Sequence, residues 1–498
     1  MIDIQNLTIK TMKESRTLID HLQLSIQKED KMVIIGEEGN GNSTLLKCIF
    51  NEQLIANYCT YVGEIIKNDC SLGYLSQELS EHEKKLTITE LFSENKWPKE
   101  MLKAMDEFGI ESFVSDKKIA DFSGGERFKY LFLKLLAMNP DVLLLDEPTN
   151  DLDIGTIEWL EKFIQKTTRP VIFVSHDETF IKHTANAILH IELTHRKQLT
   201  KYTLTREPYN TYLSHRENNL HKQEQIARKQ AADYKKQMKK WHDVWHKAEH
   251  QHRNVARSDP RLQKKVKSLK NQKKRLDKET ENFLEIPNVE EASEFHFDPS
   301  IHVHRHKKIL ELALDTLQIG NKQLTQNIKL SISGAEKVAI IEENGVGKST
   351  LLKCILASLK EQSSLKIGYM PQNYEEVLDA NQSPIQFLVT DGYKEAMTKA
   401  FTLLGSMKFT PDEMQQTIGQ LSGGQKAKLL LVKMRLERCE ILILDEPTRN
   451  FSPLTTPVLC YALAQYGGAI ISISHDRRYL QEVATTIYEL TGEGLIKR

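Results

Sequence analysis

The chain has 498 residues, 68 Lys or Arg against 68 Asp or Glu, and a hydrophobic fraction of 40%. It is too long for one ordinary core, so two or three domains are expected. No apolar run reaches the roughly 18 to 20 residues of a membrane span, and MIDIQNLTIKTMKES at the N-terminus lacks the apolar stretch of a secretory signal. The six cysteines (Cys48, Cys59, Cys70, Cys354, Cys439, Cys460) form no CxxC pair and no zinc spacing, so reduced thiols and a cytoplasmic location are expected.

In chain order, the first strong strand signal is MVIIG (32–36). It feeds GEEGNGNSTLLKC (36–48), a Gly-rich turn opening a helix. The phosphate-loop pattern G-x-x-x-x-G-K-[ST] is met by Gly36, Gly41 and Ser43, but Asn42 stands at the lysine position. LGYLSQ ends in Gln77, SGGE begins at Ser123, VLLLD ends in Asp146 before Glu147, and VIFVSH ends in His176.

From 209 to 283 the composition changes, with proline and glycine almost absent. Between His215 and Thr280 there are 20 Lys or Arg against 8 Asp or Glu, a local net of +12 that the rest of the chain offsets. Leu213, Leu220, Ala227, Tyr234, Trp241 and Ala248 recur every seven residues, interleaved with Ala231, Met238, Trp245 and His252. Leu262, Val266, Leu269 and Leu276 resume the pattern after Pro260. The spacing predicts a helical hairpin turning near 257–260, with a first helix of about 45 residues, about 70 Å long, and a second about half that. Tyr234, Trp241 and Trp245 fit the seam and are read as its core rather than as base-stacking surfaces.

The motifs then return. KVAII precedes EENGVGKSTLLKC (342–354), which keeps Lys348 but has Glu342 where the first glycine belongs. IGYMPQ ends in Gln372, LSGGQ spans 421–425, ILILD ends in Asp445 before Glu446, and AIISISH ends in His475. The last three motifs share one offset from the first set, 299 residues, which marks a duplicated domain. Short apolar strands buried on both faces imply parallel sheets covered by helices. The boundaries drawn are 1–204, a basic linker 205–295, and 296–498.

Nucleotide phosphates need inward-pointing backbone N–H groups, a cation, and a hydroxyl for Mg²⁺. Gly36, Gly39, Asn40, Gly41, Asn42, Ser43 and Thr44 are the candidates in the first loop. Asn344, Gly345, Gly347, Lys348, Ser349 and Thr350 are those in the second. Mg²⁺ is assigned to Ser43, Gln77 and Asp146, and to Ser349, Gln372 and Asp445. Glu147 and Glu446 stand where a carboxylate would polarise a hydrolytic water, and His176 and His475 where an imidazole would meet the terminal phosphate. Each piece alone is weak, since an SGG is usually a helix start. An uncharged Asn42 forgoes a charge-assisted contact of roughly 1.5–3 kcal/mol. Glu342 either points away from the phosphates or repels them.

The ordered set, found twice, resembles the ATP-binding-cassette ATPases, whose signature motif LSGGQ matches letter for letter. Two cassettes, no membrane span and a basic helical linker look like the ABC-F class. EPYNTYLSHREN (207–218) is similar to the segment that opens the linker there. The resemblance implies an α/β fold of two P-loop ABC ATPase domains joined by a long α-helical coiled-coil linker. It also implies a monomer whose cassettes pair head to tail around two ATP molecules. One site would join the first loop, with Gln77, Asp146, Glu147 and His176, to Ser422, Gly423 and Gly424. The other would join the second loop, with Gln372, Asp445, Glu446 and His475, to Ser123, Gly124 and Gly125.

By the same resemblance the partner is the 70S ribosome, through ribosomal RNA and P-site tRNA, entered from the tRNA exit site. The linker tip, Asn254, Val255, Ala256, Arg257, Ser258, Asp259, Pro260 and Arg261, would reach toward the peptidyl-transferase centre. The short interval between Gln77 and Ser123 leaves little room for the arm some housekeeping members carry, which favours antibiotic-resistance ribosome protection over a translation factor. A transporter's motor subunit is the rival from another class.

Overall fold

The computed structural model describes residues 2–12, 16–37, 39–77, 79–93, 97–194, 199–254, 260–280, 295–319, 322–342, 347–362, 365–389 and 394–498. The chain packs as two units. One combines Met1–Tyr209 with Glu290–Arg498 and holds both cassettes; the other is Asn210–Val289.

Each cassette is built on a six-stranded sheet of the same order. In cassette one the strands run Leu72–Leu75, Val142–Asp146, Val171–Val174, Lys31–Gly36, Ala187–Thr194 and Leu199–Thr205. In cassette two they run Ile367–Met370, Ile441–Asp445, Ala469–Ile473, Lys337–Glu342, Thr486–Thr491 and Gly494–Lys497. The first five pair in parallel and the sixth closes antiparallel. The central strands are continuous apolar runs because helices cover both faces, so Val142–Asp146 and Ile441–Asp445 are buried throughout. The phosphate loops and the strand-ending Asp residues therefore emerge together at the carboxyl edge, where open parallel sheets bind ligands.

The cassettes differ in their antiparallel layer. Cassette one has three strands, with Asp3–Thr11 between Thr17–Ser25 and Cys59–Ile66. The layer of cassette two has two described strands, Lys308–Ile319 and Lys322–Ser333.

In the second unit, helices Tyr209–Asn254 and Pro260–Thr280 have 46 and 21 residues, close to the lengths expected. Trp241, Ala248 and Leu269 are buried together, flanked by Met238, Trp245 and Val266. The Trp241 indole N–H donates to the Leu269 carbonyl at 2.9 Å, and its ring stacks on Trp245 at 5.1 Å. Tyr234 donates its hydroxyl to Asp277 at 3.0 Å. The aromatics are thus used in holding the two helices together. Ala231, expected in the seam, is instead exposed. The side chains of His252 and Leu262 lie outside the described residues, as do 255–259 of the tip; Pro260 and Arg261 open the second helix.

Candidate nucleotide-binding sites

In cassette one, Gly39 and Gly41 take φ of +82° and +93°, the left-handed region that glycine enters at no steric cost. Gly41 precedes helix Asn42–Phe50, so the loop delivers the chain to a helix N-terminus, a natural anion cradle. Ser43 donates its hydroxyl to Asp146 at 2.7 Å, and Tyr74 donates to the other oxygen of the same carboxylate at 3.0 Å. Burial raises the Asp146 carboxyl while the Ser43 hydrogen bond opposes the rise. A hydroxyl beside one carboxylate suits a hard cation that takes its remaining ligands from water and phosphate, so the residues present fit Mg²⁺.

Asn42 turns inward. Its side-chain amide is buried and donates to the Gly36 carbonyl at 3.4 Å. Asn40 likewise faces the sheet, donating to the Ile191 carbonyl at 3.1 Å. Thr44 is hydrogen-bonded through its side chain to Tyr58, whose carbonyl accepts from Met12 N at 3.0 Å. Tyr58 therefore stands beside the loop, an aromatic that sequence reasoning missed. It lies in the turn that leads into strand Cys59–Ile66. Gln77 is exposed at the end of its strand.

In cassette two, Asn344 and Gly345 lie outside the described residues, as does the side chain of Ser349. Gly347 has φ +112°, and a Cβ there would meet Leu324 at 2.6 Å, so only glycine fits the close approach. Lys348 opens helix Lys348–Gln362, with Ser349 and Thr350 following. Its ammonium lies 3.5 Å from the Glu342 carboxylate, whose side chain is 1% exposed, and it donates to Nε2 of His475. Of the two orientations open to Glu342, the inward one is adopted, and the lysine meets it. Glu446 accepts from His475 N at 3.4 Å. Desolvation pushes the Glu446 carboxyl up to about 7, against the pull of Lys348. His475 is pushed down to about 3, first by burial and then by Lys348. It is therefore neutral near pH 7.

Glu147 and Glu446 share a feature that no pattern revealed. Each has φ +50°, a left-handed conformation costly for a side chain without a local hydrogen-bonding reason, and each donates its N–H to the next strand at 3.0 Å. His176 lies 3.0 Å from the Glu147 carboxylate.

A cavity of about 570 Å³ joins the two cassettes. Lys348, Gln372, Asp445, Glu446 and His475 line it from cassette two; Ser123, Gly124, Asp151 and His176 line it from cassette one. Ser123 caps helix Gly124–Ala137 in a reciprocal box with Glu126, which aims the helix N-terminus into the gap. Gly124 passes so close to Asp151 that a Cβ would meet it at 2.6 Å. Ser422 caps Gly423–Leu436 in the same way with Gln425. Ser422, Gly423 and Gly424 are not among the lining residues, nor are Asn42, Ser43 and Asp146. Asp151 accepts from Gln372 at 3.4 Å and pairs with Arg449 at 3.1 Å, bridging the cavity floor.

A tandem P-loop cassette protein is the class this fold and these loops define. The ABC transporter family profile matches residues 19–150 and 325–449. The ATP-binding protein Uup of Buchnera aphidicola subsp. Schizaphis graminum is 30% identical over 505 residues, covering 96% of this chain and 79% of the relative. The ribosome protection protein VmlR of Bacillus subtilis is 28% identical over 508 residues, covering 97% and 86%. Among solved structures, the RNase-L inhibitor superposes with a TM-score of 0.60 at 14% identity, over 99% of this chain and 90% of that one. Among the described residues, no helix is long and apolar enough to cross a membrane. The chain belongs to the ABC-F family of ATP-binding-cassette proteins.

Proposed function

We propose that this chain is a cytoplasmic, ATP-hydrolysing monomer that binds the 70S ribosome and protects it from antibiotics acting at the peptidyl-transferase centre. The observation that carries the reading is the basic two-helix unit between complete cassettes, with its net of +12 in an otherwise acidic chain. Such a localised charge fits a polyanion, here ribosomal RNA and P-site tRNA approached from the exit site. The aromatics of that unit are occupied in packing, so recognition rests on Lys and Arg contacts to phosphates. Likeness to a ribosome protection protein over nearly the whole chain supports the assignment, as does the interval between Gln77 and Ser123, whose described α-helices are only Ile88–Leu91 and Lys99–Glu107. The domains are taken as 1–204, 205–295 and 296–498, with 254–261 at the tip.

ATP occupies two sites at the cassette face, each completed by the opposite signature helix. Ser43, Gln77 and Asp146, and Ser349, Gln372 and Asp445, are the residues that would hold Mg²⁺, which would supply charge neutralisation at the phosphoryl group. In site two Lys348 binds phosphate oxygens, Ser123 and Gly124 hold the far side of the nucleotide, neutral His475 donates to the terminal phosphate, and Glu446 accepts the proton of the attacking water. Site one lacks the lysine and binds or hydrolyses more weakly.

Drug inhibition of a sensitive bacterium expressing the chain tests this. A rise in the inhibitory concentration of a lincosamide, streptogramin A, pleuromutilin or phenicol supports protection. No shift for any of them moves the assignment to a housekeeping translation factor. Failure of the Glu147→Gln, Glu446→Gln chain to sediment with 70S particles in ATP removes the ribosomal reading altogether.

A further inference from the structure

Every described ion pair that crosses between the cassettes takes its acid from cassette one and its base from cassette two. The Arg477 guanidinium meets Glu161 and, at 3.5 Å, Asp177. Arg478 meets Glu178, and Arg449 meets Asp151. The contact lies immediately after the strand-end histidines. Asp177 caps helix Glu178–Thr184 and Asp476 caps helix Arg477–Glu482, so two helix N-termini face each other. Their like dipole ends repel unless charged side chains intervene.

Duplication does not demand this polarity. At the repeat offset of 299, Glu178 corresponds to Arg477, Glu161 to Cys460, Thr179 to Arg478 and Asn150 to Arg449. Two copies of cassette one in this arrangement would set Glu178 against Glu161. Two copies of cassette two would set Arg478 against Arg477, and Arg477 against Cys460. The Glu178 and Glu161 side chains are 3% and 9% exposed, and a charge so buried is strongly destabilising when its partner is removed or replaced by a like charge. Lys182 and His183 give the two carboxylates partners inside cassette one, at 2.8 and 3.0 Å. They stabilise the acidic cluster but contribute nothing that holds cassette two.

We propose that Glu161, Asp177 and Glu178 with Arg477 and Arg478 form a one-way docking face. It accepts only the unlike cassette and keeps the pair in contact when no nucleotide is bound. Nucleotide then closes the outer parts of a clamp already joined at its centre.

Small-angle scattering of the nucleotide-free full-length chain is the test. Arg477→Glu with Arg478→Glu should enlarge the radius of gyration, and adding Glu161→Arg with Glu178→Arg should restore it. Circular dichroism checks that each variant is folded. A folded reversal variant of unchanged radius overturns the proposal, as does a folded fourfold variant that stays expanded. Should the reversal unfold the chain, Arg477→Gln with Arg478→Gln is measured in the same way: expansion supports the docking face and an unchanged radius sinks it.

Discussion

Glu342 and Lys348, at the two ends of the cassette-two phosphate loop, form an ion pair of 3.5 Å. The corresponding residues of cassette one are Gly36 and Asn42, joined by a hydrogen bond of 3.4 Å. At the two end positions, one loop therefore pairs a carboxylate with an ammonium and the other joins two uncharged residues. Each loop carries one departure from the phosphate-loop pattern, and in each the departing residue contacts the residue at the loop's other end.

Phosphate must compete with the Glu342 carboxylate for Lys348. Replacing Glu342 with Gln removes a negative charge from the loop and leaves Lys348 held by its contact with His475 but no longer ion-paired to Glu342. A charged hydrogen bond is worth roughly 1.5–3 kcal/mol, so nucleotide affinity at site two should rise about tenfold or more. A fluorescent ATP analogue titrated against the Asn42 wild-type background reads this, and an unchanged Kd shows that Lys348 is already available. Lys348→Ala is the companion measurement, expected to weaken binding.

Asn42→Lys supplies the missing cation to a loop that has Gly36 where the second loop has Glu342. Affinity at site one should rise more than tenfold, with faster turnover. Equal affinity and turnover before and after the change would mean that the loop reaches phosphate without a cation.

Glu446 has its carboxyl pushed up to about 7. Below that pH it is protonated and cannot accept a proton; above it, it is ionised. ATP turnover at site two should therefore climb between about pH 6 and 8, by up to tenfold, and level off. His475, pushed down to about 3 by burial and Lys348, stays neutral across this window and adds no second inflection. A pH profile that is flat, or that falls over the same range, contradicts the assignment of Glu446 as the base, and Glu446→Gln should abolish the climb.

Trp241 separates packing from RNA stacking. Truncation to Ala removes its contacts with Trp245 and Leu269 and its indole hydrogen bond. The expected cost to the helical hairpin is about 3–5 kcal/mol, visible as lost helical signal and faster proteolysis between 209 and 280. Unchanged helicity with weakened ribosome binding would instead assign the ring to a nucleotide base.

Much of this architecture was legible before any coordinates. Runs such as VLLLD and ILILD suggest strands buried on both faces of a parallel sheet, and their repetition at one offset marks a duplicated domain. The hairpin followed from its seven-residue seam. The direction of the Glu342 side chain was not legible, because a carboxylate at a strand end can turn either way until the lysine is located. Arg449, Arg477 and Arg478 were passed over because their partners lie some 300 positions away in the chain. Tyr58 was missed because it sits in a turn before strand Cys59–Ile66, outside every motif, and that strand has no described counterpart in cassette two.

The φ of +50° at Glu147 and Glu446 has a consequence for tolerance to change. A backbone held there by its neighbours is relieved by glycine, the residue that visits this region freely. Glu446→Gly should therefore melt at a higher temperature than the parent while losing turnover. At these two positions robustness and catalysis pull in opposite directions, and keeping glutamate at both means the chain retains reactivity at the expense of rigidity.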